Sequence, residues 1–356
     1  MEKLNWGIIG LGRIADSFSN GFFDAKNANL IAAASRDNNK LQKYKDLYKL
    51  DSNYLFNDYN DLINCKDIDI IYLALPNNLH CDWALKIIEN NKNILVEKPA
   101  ILNVVEAKSI FRKLENKDLL FSEAFVYRYL PQTIALIEIL KSRELGEVFS
   151  MESSFGINLL TKKKFYFFNK KKKINLDDRK FKKELGGGSI YDLGCYTTSF
   201  SLLINSILNK NTNNFIISNI TREIGETGVD VNSSAKLKFD NEFISNIYCS
   251  FKENLGSQTV IKGEKGDIIL PDTWKGQDII IKYKNEKEKI INFKNKKNIY
   301  TYQIEQISSN LLDGITKPNF PVMNIGETIS NIKIIEGWLN NLEKNETYWL
   351  YNIFWQ

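Results

Sequence analysis

The chain has 356 residues, 43% of them apolar and 12% aromatic, and a formal net charge of +5. That length is long for one domain and comfortable for two, each able to bury an adequate core. The mild charge, with basic and acidic residues interspersed along most of the chain, gives no argument for nucleic acid, and no apolar run approaches the roughly 20 residues that cross a bilayer.

The first third alternates short apolar runs with helical patterns. Trp6–Ile9, Leu30–Ala34, Ile68–Leu75, Ile94–Val96 and Leu119–Phe121 read as strands buried on both faces. Arg13–Phe23, Lys40–Leu50, Trp83–Asn90 and Val104–Leu114 lie between them and read as helices. This alternation predicts a parallel, doubly wound sheet over residues 1–122. A further helix over Gln132–Ser142 stops at Gly146, and from Glu147 the rhythm changes. Val148–Phe155, Phe215–Arg222, Ala235–Phe239, Phe243–Phe251, Thr259–Ile261 and Ile279–Tyr283 read as strands with few helices between them. Ala235-Lys236-Leu237-Lys238-Phe239 alternates strictly, as a strand with one buried and one wet face does. Residues 123–356 are therefore expected to form an α+β domain on a largely antiparallel sheet, with helices over Tyr302–Leu312 and Thr328–Leu342 covering it or returning to the first domain. The aromatic segment Tyr348–Trp355 is too apolar for a solvated tail and is expected to dock on its own domain or on a second subunit.

Four short motifs carry chemistry. Gly10-Leu11-Gly12-Arg13-Ile14-Ala15 follows an apolar strand and opens a helix. Glycines there let the backbone turn tightly and approach a pyrophosphate, so Gly10, Gly12, Arg13 and Ile14 are expected to hold a dinucleotide. The second strand ends in Ser35 and Arg36, a hydroxyl and a guanidinium suited to a ribose 2′-phosphate, which favours NADP. The competing reading gives the ribose to Asp37 and leaves Arg36 in solvent, as NAD would require. Pro76, Asn77 and His80 follow the longest apolar strand, at the carboxyl edge where ligands bind in such sheets. His80, the sole histidine, has either a packing role or one near the nicotinamide ribose. Glu97-Lys98-Pro99 ends the next strand, because proline cannot continue a central ladder. Lys98 is then turned off the sheet edge, where it can bond a reacting oxygen, unless it is one more solvated lysine. Finally, Asp192 and Tyr196 follow a run of three glycines four residues apart and share one face of a helix.

Taken together, these motifs resemble, in order and spacing, the Gfo/Idh/MocA oxidoreductases, over nearly the whole chain. The resemblance implies a Rossmann domain followed by an α/β domain with an open, mainly antiparallel sheet. It places the catalytic lysine in the Glu-Lys-Pro motif, at Lys98 beside Glu97, and the other catalytic groups at Asp192 and Tyr196. Tyrosine rather than histidine in the last position is similar to the branch with trans-dihydrodiol and NADP-dependent aldose dehydrogenases. Glu123-Ala124-Phe125-Val126-Tyr127-Arg128-Tyr129 also resembles that branch and marks Tyr127 and Arg128 as substrate contacts.

The expected activity is hydride transfer between a nicotinamide and the hydroxyl-bearing carbon of a sugar-like or cyclic diol substrate. An NAD-dependent glycosidase on the same fold and a non-catalytic cofactor-binding regulator are the alternatives. The basic stretch over 162–183, with aromatics at its centre, reads as a solvated loop or as a contact for an anionic substrate. No membrane or metal partner is expected, and a homodimer or larger assembly is. The four cysteines, Cys65, Cys81, Cys195 and Cys249, show neither close pairing nor metal spacing. With a first strand beginning by about Leu4, this predicts a cytoplasmic protein.

Overall fold

A computed structural model describes residues 2–164, 168–171, 174–208 and 214–340. The aromatic segment Tyr348–Trp355 and part of the basic stretch lie outside the described residues. The chain divides into two compact units. The chain up to Leu130 joins Asn295–Ile329 in unit 1, and Pro131–Lys294 joins the chain from Ser330 onward in unit 2.

Unit 1 is built on six strands, β1 (Leu4–Ile9), β2 (Ala28–Ala34), β3 (Leu55–Phe56), β4 (Ile70–Leu73), β5 (Asn93–Val96) and β6 (Phe121–Glu123). They lie in the order β3-β2-β1-β4-β5-β6 with every pairing parallel. The order reverses direction between β1 and β4, the place where a doubly wound sheet opens a ligand crevice at its carboxyl edge. The continuous apolar runs are explained by burial: Ile8, Ile70, Tyr72, Leu73, Leu95 and Val96 have no exposed surface.

The helices of this unit are α1 (Arg13–Ser19), α2 (Asn38–Tyr48), α3 (Tyr59–Asn64), α4 (His80–Glu89) and α5 (Val104–Leu114). Asp37, Asp58 and Asn103 cap α2, α3 and α5 with their side chains, which satisfies backbone donors at each start. Unit 1 also contains a late helix, α8 (Ile299–Leu312), whose Ser308 hydroxyl accepts from the Trp6 indole at 2.9 Å. Thr301 donates to the Gly21 carbonyl at 2.8 Å.

In unit 2 eight strands form one sheet: β7 (Val148–Gly156), β10 (Phe215–Ile224), β11 (Asp230–Phe239), β12 (Ile244–Ser250), β13 (Thr259–Gly263), β14 (Gly266–Leu270), β15 (Ile279–Tyr283) and β16 (Lys289–Ile291). The hairpin β8 (Thr161–Lys164) and β9 (Phe168–Lys171) stands apart from it. The sheet order is β10-β11-β12-β7-β13-β14-β15-β16, antiparallel except where β7 meets β12. Alternation along β11 and β13 sends Ala235, Leu237, Phe239 and Ile261 to a buried face. Helix α7 (Cys195–Leu208) packs against β7 and β12, α6 (Pro131–Ser142) packs against α7, and α9 (Ile325–Leu339) belongs in part to each unit. Ten of the eleven positions from Cys195 to Asn205 in α7 are buried, Tyr196 being the exception, and the helix has the mostly apolar and small-residue composition of a core helix.

Candidate active site

In unit 1 the residues singled out from sequence gather at the carboxyl edge of the sheet. After β1 the chain turns at Gly10 with φ 91°, where an added Cβ would lie 2.7 Å from the Ala74 carbonyl oxygen beyond β4. A side chain is excluded there both by conformation and by space. Gly12 differs, because a Cβ on it would meet nothing within 4 Å. The turn is packed tightly beneath and open above, so a phosphate-bearing group can approach its backbone. Arg13 is exposed, and Ile14 is partly buried against the unit's core.

At the tip of β2, Ser35 is buried and its hydroxyl accepts from the Asp37 amide at 3.1 Å. Asp37 turns one carboxylate oxygen onto the amides of Asn39 and Lys40, at 3.0 and 3.4 Å. It is therefore engaged as the N-cap of α2, while Arg36 beside it is exposed. The carboxylate offered by the competing reading thus already has local work in the fold.

The segment Glu97–Ala100 is held from several sides. The Tyr72 hydroxyl donates to Glu97 Oε1 at 3.1 Å, and the Tyr72 ring stacks on Phe18 of α1 at 3.8 Å. His80 has no exposed surface and sets one ring nitrogen 2.9 Å from the Pro99 carbonyl oxygen. The Ala100 amide donates to Glu123 Oε1 at 3.0 Å. Tyr300 of α8 is pushed up to about 12, chiefly by burial and then by the charge of Glu97, with Lys98 opposing. Asn77 is buried and Pro76 half-buried in the turn after β4.

Glu123, Tyr72 and Tyr300 were not anticipated as functional-site residues. Glu123 carried a signal, since a carboxylate closing an apolar strand must be buried beside its neighbour strand's end. Burial holds its carboxyl up to about 7 against the lowering effect of the Ala100 amide and the Thr328 hydroxyl.

Tyr127 and Arg128, expected as substrate contacts, lie in unit 1. Both are fully buried there. The Arg128 guanidinium bonds the Pro321 carbonyl at 2.9 Å and pairs with Glu327 at 2.7 Å. It braces the start of α9 against the turn after β6.

In unit 2, Asp192 and Tyr196 follow the glycine run, but the first turn is π-helical over Ile190–Gly194, and regular helix begins only at Cys195. Gly188 has φ 117°, and a Cβ there would lie 2.3 Å from Asp230 Oδ1. Asp230 in turn accepts from the Ser189 hydroxyl at 2.6 Å and the Ile190 amide at 2.7 Å, which anchors the turn's start. Asp192 lies 3.5 Å from Lys180 Nζ. The Tyr196 ring meets Phe155 edge-on and Trp274 at a tilt, both at 5.3 Å between centroids. Lys180 belongs to the basic stretch over 162–183, while Phe155 and Trp274 had not been expected at this place, and for Trp274 nothing in its local sequence marks it.

The turns described here have a counterpart in known proteins. Residues 4–125 match the model described as oxidoreductase family, NAD-binding Rossmann fold, and residues 133–269 match the GFO/IDH/MocA C-terminal domain. The chain belongs to the Gfo/Idh/MocA oxidoreductase family. It is 26% identical over 348 residues to a trans-1,2-dihydrobenzene-1,2-diol dehydrogenase of Xenopus tropicalis, which covers 95% of this chain and 97% of that one. A D-xylose 1-dehydrogenase (NADP(+)) 2 of Haloferax volcanii is 28% identical over 246 residues, 69% of each chain. Among solved structures, a 3-ketoreductase from Actinomadura kijaniata in complex with NADP and TDP-benzene superposes with a TM-score of 0.79. It is 17% identical and covers 95% of this chain and 98% of its own, and it shows the shared fold.

Proposed function

We propose that this family member is an NADP-dependent dehydrogenase or reductase acting on the hydroxyl or carbonyl carbon of a sugar-like or cyclic diol substrate. The observation that carries the reading is the Glu97–Ala100 turn, which is fixed by buried partners at the carboxyl edge of a sheet whose order reverses beside an open glycine turn. Relatives that act on dihydrodiols and on D-xylose support the substrate class. The NADP dependence in the xylose enzyme's name supports the cofactor, as does exposed Arg36 beside buried Ser35. NAD remains the competing cofactor.

In this reading Gly10, Gly12, Arg13 and Ile14 hold the dinucleotide, with Ser35 and Arg36 at its 2′-phosphate and Pro76, Asn77, His80, Glu97 and Lys98 bordering its nicotinamide half. The bound nicotinamide would supply hydride exchange at its ring. Tyr196 exchanges the proton of the substrate hydroxyl. Lys98 bonds the reacting oxygen, and Tyr196, since a tyrosine in water titrates at about 10, needs a cation to favour its phenolate. Asp192 orients the substrate, with its own charge balanced by Lys180.

Basic residues Arg179, Lys180, Lys182 and Lys183 ahead of the glycine run support a substrate bearing an anionic group. The four cysteines form no disulfide, which supports a reducing cytoplasm. No helix among the described residues is long and apolar enough to cross a membrane. A panel of aldoses, inositols, cyclic diols and nucleotide-linked sugars, followed by nicotinamide absorbance, tests the proposal. Turnover on a sugar or diol is expected, and silence across the panel with both cofactors would count against it.

A further inference from the structure

We propose that His80 is a positioning residue for Lys98, and that it acts as an imidazolium donating to two backbone carbonyls at once. The inference rests on the reading of Lys98 given above, but its geometry stands separately. Ring nitrogen Nδ1 lies 2.9 Å from the Pro99 carbonyl oxygen, and Nε2 lies 2.8 Å from the Leu75 carbonyl oxygen. Both oxygens can only accept. A neutral imidazole carries a single N–H, so it would satisfy one carbonyl and turn a lone pair on the other. With the ring fully buried, no solvent relieves that repulsion. The imidazolium carries two N–H groups and satisfies both acceptors.

The two carbonyls belong to different parts of the sheet edge. Leu75 follows β4 and Pro99 follows β5, the residue directly after Lys98. His80 at the start of α4 therefore ties the two strand exits together. Glu123 from β6 holds the next amide, that of Ala100, and Tyr72 from β4 holds the Glu97 carboxylate. Lys98 sits in a backbone anchored at the residue before it and at the two residues after it. Titratable groups on the elements packed against α4 are Tyr72 on β4, Glu97 and Lys98 after β5, and Glu106, Lys108, Arg112 and Lys113 on α5, with Cys81, Asp82, Lys86 and Glu89 on α4 itself. The carboxylates among them favour a buried cation, and Lys98 with the other lysines and Arg112 opposes it.

Because His80 is the sole histidine of the chain, the nitrogen NMR spectrum of tag-free, histidine-labelled protein needs no assignment. Two protonated ring nitrogens are expected still at about pH 8, above the range where an unperturbed histidine holds its proton. A neutral ring with one bare nitrogen overturns the imidazolium. For positioning, His80→Phe should lower kcat at least about tenfold and raise the cofactor KM by a smaller factor, since misplacement of a reacting group costs rate more than affinity. His80→Gln, whose carboxamide keeps two N–H bonds, should recover most of that loss. Wild-type kcat in folded His80→Phe overturns the positioning role. Should that variant fail to fold, His80→Asn, too short to span both carbonyls, decides in the same way. Lys98→Met run alongside separates the two claims: wild-type turnover there removes Lys98 from the reaction, while the nitrogen spectrum still reports the state of His80.

Discussion

Lys98 and Tyr196 are assigned the proton-handling part of the reaction, and that assignment has a size. Loss of an acid–base group costs roughly 10²-fold or more in rate, so Lys98→Met and Tyr196→Phe should each lower kcat by about that factor while leaving cofactor binding nearly intact. Steady-state kinetics with a fluorescence titration of cofactor checks both halves, and wild-type turnover in either variant removes that residue from the mechanism. Arg36 makes the second residue-scale prediction. A charge-assisted hydrogen bond contributes about 1.5–3 kcal/mol, so NADP should be preferred over NAD by at least about tenfold. Arg36→Ala should erase most of that preference by weakening NADP alone. Equal wild-type affinity for the two cofactors would shift attention to Asp37, although its carboxylate already caps α2. At this scale the sequence was legible where a residue's role follows from its immediate neighbours, as at Gly10, whose turn leaves no room for a Cβ. The partners of Arg128 were not legible because Pro321 and Glu327 lie almost 200 residues away, with a sequence separation of 199 for the ion pair.

The strand ends of unit 1 are where a single element can be tested. Glu123 at the close of β6 has its carboxyl raised to about 7, mainly by burial, from an ordinary value of 4.5. The folded state therefore binds a proton more tightly than the unfolded chain does. Stability from this group is complete below about pH 4.5 and is lost as pH rises through about 7, by up to about 3 kcal/mol at 1.36 kcal/mol per unit. Urea unfolding at pH 5 and pH 8 should show wild type losing stability relative to Glu123→Gln, whose carboxamide still accepts from Ala100. Equal pH slopes in the two proteins would contradict the buried, protonated carboxyl. Most elements could be read from periodicity, and α5 and β15 match the expected bounds residue for residue. The misses have physical reasons. Strand β3 has two residues and α3 six, too short for a period to show. The π-helical turn at Ile190–Gly194 lies where a Cβ at Gly194 would be 3.0 Å from Trp338, a residue no local pattern connects to it.

For the whole molecule, the parallel and antiparallel halves were both legible, because alternation of strands with helices and strict two-residue alternation have different causes. What local sequence could not show is the return of α8 to unit 1, which depends on contacts such as Trp6 with Ser308. Assembly is the remaining question at this scale. On the outward face of the unit 2 sheet, Val260, Ile269, Ile280 and Ile290 stand in register across β13, β14, β15 and β16, and Ile290 is 53% exposed. An apolar row of this kind is a surface that water covers poorly. We propose that a second copy of the chain covers it, so light scattering at micromolar concentration should give at least a dimer mass, and Ile280→Lys should reduce it toward the monomer. A monomeric wild type would contradict that arrangement.

The central claim is that this chain carries out net redox chemistry on a hydroxyl or carbonyl carbon, and the balance between product and cofactor tests it most directly. With an active sugar or diol and excess NADP, each molecule of oxidised product should appear with one molecule of reduced cofactor. Product accumulating while cofactor absorbance stays flat would show a cofactor regenerated within each turnover, as in an NAD-dependent glycosidase, and would contradict the account.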